Sequence, residues 1–284
     1  MPGAFGFERQ LASTWVSDAL GDREAIESAI GMPMGEMLGC GAWGCAFLGA
    51  GPWVIKLTRD PTEGPIWESL REWQHNTPTW KNAGLVRIRE VLQLRPGVTV
   101  GGEEWPLYVA VREGVVPLFP SFGALSLTEE AAKVLGLRAG ARLKGHGASS
   151  GRAGSTRRFV YETLRHLDLY RQAARHYYRA VFEEGTEAPD FDAAEPERHE
   201  MAEIFSHMAE RGGWVGEHLA MTLLELLESN VVFVDLHARN VGLRVHERIE
   251  GERLPPGLVV FDPGHTPTPE RPIRQQMRHN GSYC

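Results

Sequence analysis

The chain has little cysteine: three residues in 284, Cys40, Cys45 and Cys284. That is too few for a disulfide framework, so Cys40 and Cys45 are expected as small apolar fillers and the cytoplasm as the compartment. No His/Cys cluster has zinc-ligand spacing. Positive charge is not in excess either. Thirty Lys and Arg face 37 Asp and Glu, a net charge of −7, which excludes a general nucleic-acid binder. No apolar run approaches the roughly 20 residues that span a bilayer. The opening Met-Pro-Gly-Ala-Phe-Gly-Phe-Glu-Arg-Gln lacks the basic-then-apolar order of an export signal. Neither nucleic acid nor membrane is therefore an expected partner. With 42% hydrophobic and 24% charged residues, the length suits one large domain or two lobes with a proper core.

What the chain does have is a pair of acidic motifs between residues 231 and 264. The first, Val231-Val232-Phe233-Val234-Asp235-Leu236-His237-Ala238-Arg239-Asn240, reads as a strand delivering an Asp, with an Asn five positions later in a polar loop. The second, Val259-Val260-Phe261-Asp262-Pro263-Gly264, delivers an Asp into a Pro-Gly turn. Phosphoryl transfer needs such a set: one carboxylate to orient and deprotonate a hydroxyl, an amide and a second carboxylate to hold magnesium against phosphates. Two surface turns capped by Asp and Asn would look the same locally.

Earlier, Gly39-Cys40-Gly41-Ala42-Trp43-Gly44 is a G-x-G-x-x-G run followed by the apolar Cys45-Ala46-Phe47-Leu48. A dinucleotide-binding turn would open into a helix. Here a Gly-Ala-Gly-Pro turn and a second strand follow, so the run is a β-hairpin whose glycines let backbone amides approach phosphate oxygens. Trp43 belongs at its tip, either as a lid or as an exposed aromatic. Trp53-Val54-Ile55-Lys56-Leu57 sets a lysine twelve residues after Gly44 in an apolar strand, where an unpaired ammonium is costly to bury.

In this order the motifs resemble the protein-kinase-like superfamily, and the Asp-Leu-His-x-x-Asn form is most similar to its aminoglycoside and choline kinase branch. The resemblance implies an α+β, bilobal fold: a small antiparallel five-stranded amino-terminal lobe with one helix, and a mainly helical carboxy-terminal lobe. The implied division is a helical cap over 1–30, the first lobe over 31–112, the second over 113–284, and a hinge near 112–118. Asp235 is then the catalytic base, and Asn240 and Asp262 are the magnesium ligands. Lys56 binds the α- and β-phosphates of ATP, under a lid formed by Gly39, Gly41 and Gly44. His237 either contacts the γ-phosphate or is a loop histidine satisfied by backbone. The segment containing Glu113 reads the adenine edge through backbone groups. The Lys56 partner is sought on the following helix, with Glu68 chosen over Glu72 and Glu63.

The rest departs from that pattern. Phe233-Val234 replaces the His-Arg that protein kinases place before the catalytic Asp, and the 20 residues after Gly264 leave no room for a peptide platform. Residues 133–158 carry basic side chains and no acids, as a lid, a docking surface or simply solvated surface, and an acidic stretch covers Glu183 to Glu200. Helical spacing runs from Val160 to Val181, with His166 expected on its surface, and a further apolar helix from Trp214 to Glu228. The expected function is magnesium- and ATP-dependent phosphoryl transfer to a hydroxyl of a small molecule or a protein. A nucleotide-binding pseudokinase is the alternative, and transfer of AMP a third.

Overall fold

The computed structural model describes residues 23–40, 43–100, 103–119, 126–143, 152–182 and 190–263. The chain is α+β and divides into two compact units, one made of residues 1–76 with 87–114, the other of 77–86 with 115–284.

The first unit begins with helix α1 (Arg23–Ile30), which buries Ile26 and Ile30. The remainder of the helical cap expected over 1–30 lies outside the described residues. Strands β1 (Met37–Cys40), β2 (Gly44–Leu48) and β3 (Trp53–Thr58) follow, then helix α2 (Glu63–Asn76). Strands β4 (Ile88–Val100) and β5 (Glu103–Glu113) complete a five-stranded antiparallel sheet of order β1-β2-β3-β5-β4. Strand β4 runs on past Pro96-Gly97, a dipeptide that favours a turn. A register shift between Leu94 and Val98 takes up the proline without ending the pairing.

Helix α2 starts where local chemistry dictates. The Asp60 carboxylate accepts from the Thr62 amide (2.9 Å) and hydroxyl (2.7 Å), turning the chain into its first residues. Pro65 falls in the first turn, where a missing N–H costs nothing. Its buried positions, Glu63, Ile66, Trp67, Leu70 and Gln74, follow the 3.6-residue period.

The second unit holds α3 (Thr79–Asn82), β6 (Val115–Pro117), α4 (Glu129–Val134), α5 (Arg152–Val181) and α6 (Glu195–Glu228). It ends with β7 (Val241–Arg244), β8 (Arg248–Ile249), β9 (Glu252–Arg253) and β10 (Leu258–Val260). Strands β10, β7 and β6, in that order, form a second antiparallel sheet that the sequence did not announce. Helix α5 takes in Arg152, Arg157 and Arg158, part of the basic stretch over 133–158, while 144–151 lie outside the described residues. His166 is buried rather than on the surface, with Nδ1 2.6 Å from the Glu162 carbonyl one turn back. Helix α6 is longer than the apolar Trp214–Glu228 stretch and kinks at Gly213 (φ 51°). Among the described residues no helix is long and apolar enough to cross a membrane.

Residues 77–86 belong with this second unit because buried polar groups fasten them there. The Arg244 guanidinium donates to the carbonyls of Ala83 (2.6 Å) and Leu85 (2.9 Å). The Thr222 hydroxyl accepts the Gly84 amide at 2.7 Å. A Cβ on Gly84 would lie 2.5 Å from the His218 carbonyl oxygen and the Leu219 Cα, both helix backbone. Gly84→Ala is therefore expected to lower stability by about 1–3 kcal/mol, read as an earlier urea midpoint at unchanged slope.

Candidate functional site

In the first unit, antiparallel register sets the Gly-rich hairpin against the lysine strand: Gly44 faces Thr58, Cys45 faces Leu57 and Ala46 faces Lys56. Gly41 lies outside the described residues. Gly39 has open space where a side chain would project, whereas a Cβ on Gly44 would come 2.7 Å from the Leu57 carbonyl oxygen and 3.3 Å from Lys56 Cε. Gly44 is thus required by the close approach of β2 to β3. Cys40 and Cys45 pair across β1 and β2 and form a disulfide, correcting their reading as separate apolar fillers. The register is the reason, since it leaves their Cα atoms 4.1 Å apart.

Trp43 is neither a free lid nor a bare aromatic. Its carbonyl accepts from the Arg59 amide (2.9 Å) and the Thr58 hydroxyl (3.2 Å). The Arg59 guanidinium stacks 4.8 Å from the Trp43 ring and 5.4 Å from that of Trp105, a cation held between two indoles.

Lys56 pairs with Glu63, and both side chains are almost wholly buried, at 11% and 7% exposure. Glu68, the partner chosen from sequence, is exposed on the opposite face of α2, as is Glu72. Counting back from Ile66, Trp67 and Leu70 by three and four residues leads to Glu63, so helical phase was the available signal. Glu63 also accepts from the Thr58 hydroxyl (2.7 Å) and the Trp67 indole N–H (3.0 Å). Glu113 is fully buried, and its side chain is spent inside the sheet: one carboxylate oxygen accepts the Arg87 amide (3.1 Å), while its own amide donates to the Arg87 carbonyl (2.8 Å).

In the second unit, α6 ends in a Schellman arrangement with Asn230 left-handed at φ 58°. The Asn230 amide donates to the Leu227 carbonyl (3.0 Å) and the Val231 amide to that of Leu226 (2.8 Å). The following Val231–Val234 is not the strand its apolar run suggested. It has no ladder partner among the described residues, and Val232, Phe233 and Val234 are buried in irregular backbone. The Phe233 amide donates instead to the Tyr170 hydroxyl of α5 at 2.7 Å. Burial pushes the Tyr170 hydroxyl well above the usual tyrosine range, so it stays protonated. Tyr170→Phe would strand that buried amide and is expected to cost about 1–3 kcal/mol in a denaturant titration.

Asp235 follows, and its surroundings are polar. Oδ1 accepts from Arg171 Nη2 at 2.9 Å, and Oδ2 lies 3.9 Å from His237 Nε2. Its backbone carbonyl accepts the Asn240 side-chain amide at 2.9 Å. His237 Nδ1 accepts the Arg239 amide (3.2 Å), so the neutral ring carries its proton on Nε2, facing Asp235. Burial lowers the His237 pKa, with Asp235 opposing and Arg171 reinforcing the shift. Strand pairing supplies the other half. Val241 opposes Val260, which sets Asn240 beside Phe261 and Asp262, and the Asn240 carbonyl accepts both their amides, at 2.9 and 3.3 Å. Asp235, His237, Asn240 and Asp262 are thus gathered in one loop cluster. Arg171, 64 residues upstream, joins them without any sequence signal beyond its place on a helix.

Among the described residues no group of three or more His, Cys, Asp and Glu side chains is arranged to hold a metal. The donors present are of another type. The Asn240 amide nitrogen is already committed, leaving Oδ1 as its donor atom, and Asp262 adds a carboxylate. Two hard oxygen donors suit magnesium, which keeps most of its shell as water and phosphate oxygen. No protein-family model matches the chain, and no curated protein is significantly similar to it.

Proposed function

We propose that the protein is a magnesium-dependent phosphotransferase that moves the γ-phosphoryl group of ATP to a hydroxyl, a distant member of the protein-kinase-like superfamily. The carrying observation is the β7–β10 register, which brings Asn240 and Asp262 together while the Asn240 side chain ties off the backbone of Asp235. A carboxylate base beside an amide–carboxylate oxygen pair is the donor set this chemistry uses. The buried Lys56–Glu63 pair and the Gly-rich hairpin registered against it agree with that reading.

In this mechanism Asp235 orients the acceptor and takes its proton as the new P–O bond forms. Lys56, held by Glu63, binds the α- and β-phosphates, and His237 donates from Nε2 to an oxygen near the transferring group. Asn240 and Asp262 would hold magnesium, which neutralises charge on the phosphates when bound. A small-molecule alcohol is the favoured acceptor, from the Asp-Leu-His form.

The test is incubation of purified protein with γ-labelled ATP and magnesium, first alone and then with pooled alcohol metabolites, beside thermal shift with ATP in the presence and absence of magnesium. Labelled product together with a magnesium-dependent ATP shift is the expected result. A shift without turnover would mark a nucleotide-binding module instead, and the absence of both responses would refute the proposal.

A further inference from the structure

Asp235 sits at the end of an irregular segment, and a carboxylate in such a place can turn about χ2 and offer either oxygen. In this protein α5 removes that freedom. Two successive residues act on the loop: the Tyr170 hydroxyl accepts the Phe233 amide at 2.7 Å, and Arg171 Nη2 donates to Asp235 Oδ1 at 2.9 Å. One fixes the backbone two residues before the acid, the other fixes the acid itself.

Stability alone is a poor reason for the ion pair. Both side chains are about a third exposed, at 32% and 33%, and pairs so placed contribute little. Arg171 also buries its Nε–H without a hydrogen-bond partner among the described residues, an arrangement that costs free energy. A cation kept in place at a cost, beside the carboxylate that serves as base, is what a functional constraint produces.

We propose that Arg171 is the positioning residue of Asp235, its guanidinium holding Oδ1 so that Oδ2, the oxygen facing His237, is the one presented to the acceptor hydroxyl. The inference rests on the phosphotransferase reading and adds a residue to it. In the step concerned, the acceptor O–H bond breaks, its proton passes to Oδ2, the acceptor oxygen bonds to the γ-phosphorus, and ADP leaves with the electrons of the broken P–O bond. Arg171 gains and loses nothing. It keeps Oδ1 occupied and the carboxylate plane fixed.

The test uses the full chain with MgATP as the probe and water as the default acceptor, following ADP release by steady-state kinetics and MgATP binding by calorimetry. Arg171→Met is expected to lower kcat about 100-fold, the scale of a misplaced general base. MgATP affinity should stay within about threefold, because uniform binding is untouched. Arg171→Lys should regain about tenfold or more of the loss, since an ammonium can still reach Oδ1. Arg171→Met in an Asp235→Asn background should cost nothing further. Should Arg171→Met melt early, Arg171→Gln, whose side chain ends two atoms short of the Nη2 that donates to Oδ1, is read in its place with the same expectation. Wild-type kcat in these neutral variants, equal losses of kcat and affinity, or additive effects with Asp235→Asn would each overturn the inference while leaving the phosphotransferase intact. A wild-type chain that neither binds MgATP nor releases ADP would overturn both.

Discussion

In Asp262→Ala protein, phosphoryl transfer at saturating ATP and magnesium is expected to fall on the order of 1,000-fold or more, because catalysis of this kind is mainly positioning and charge neutralisation. The backbone around the substitution should survive it. The Asp262 and Phe261 amides are both anchored on the Asn240 carbonyl, and β10 is registered by Leu258, Val259 and Val260 rather than by the acid. Calorimetric MgATP affinity should fall while affinity for magnesium-free ATP changes less. Asn240→Ala is a less clean companion, since it also removes the bond from Nδ2 to the Asp235 carbonyl and loosens the base. Turnover retained in purified Asp262→Ala protein would remove the acidic pair from the mechanism, and with it the main reason for reading this chain as a kinase.

What could be read in the sequence was whatever local pattern decides. The hairpin of the Gly-rich run, the lysine strand and the return through β4 and β5 follow from alternation and turn residues, and together they make a five-stranded antiparallel sheet. Of the late strands β10 could be read and β7 could not, and their pairing explains why an Asn and an Asp 22 residues apart become neighbours.

What escaped was decided by tertiary partners or by helical phase. Val231–Val234 has the composition of a strand, and only the absence of a ladder partner and the presence of Tyr170 make it irregular. Glu68, Glu72 and Glu63 all lie on the helix after the lysine strand, and only its phase against the core sets Glu63, one turn before Ile66 and Trp67, apart from the other two. Val115–Pro117 is too short and too close to a glycine to announce itself as the edge of a second sheet. Arg171 is one of several arginines along a 30-residue helix, and nothing nearby distinguishes it from those facing solvent. The disulfide depended on register across a turn, which composition does not carry.

The correction from Glu68 to Glu63 has a large consequence that does not depend on catalysis. Lys56 is 11% exposed, and Glu63 serves three donors at once: its ammonium, the Thr58 hydroxyl and the Trp67 indole. Removing the carboxylate takes the ion pair from a buried cation, one of two acceptors from the Thr58 hydroxyl and the acceptor of the Trp67 indole. Glu63→Ala is accordingly expected to destabilise by about 3–5 kcal/mol, the range for breaking a buried pair from one side. Glu68→Ala, on the solvated face of α2, should stay within about 0.5 kcal/mol of wild type. Replacing both buried partners, Lys56→Met with Glu63→Leu, should recover much of the loss, because the buried ammonium goes with its carboxylate even though the Trp67 donor still lacks its acceptor. Denaturant titrations of the four proteins measure this directly. Equal effects at Glu63 and Glu68 would mean that the lysine is not held where its strand and helix place it, and MgATP affinity measured on the same samples shows whether that hold is what readies Lys56 for phosphate.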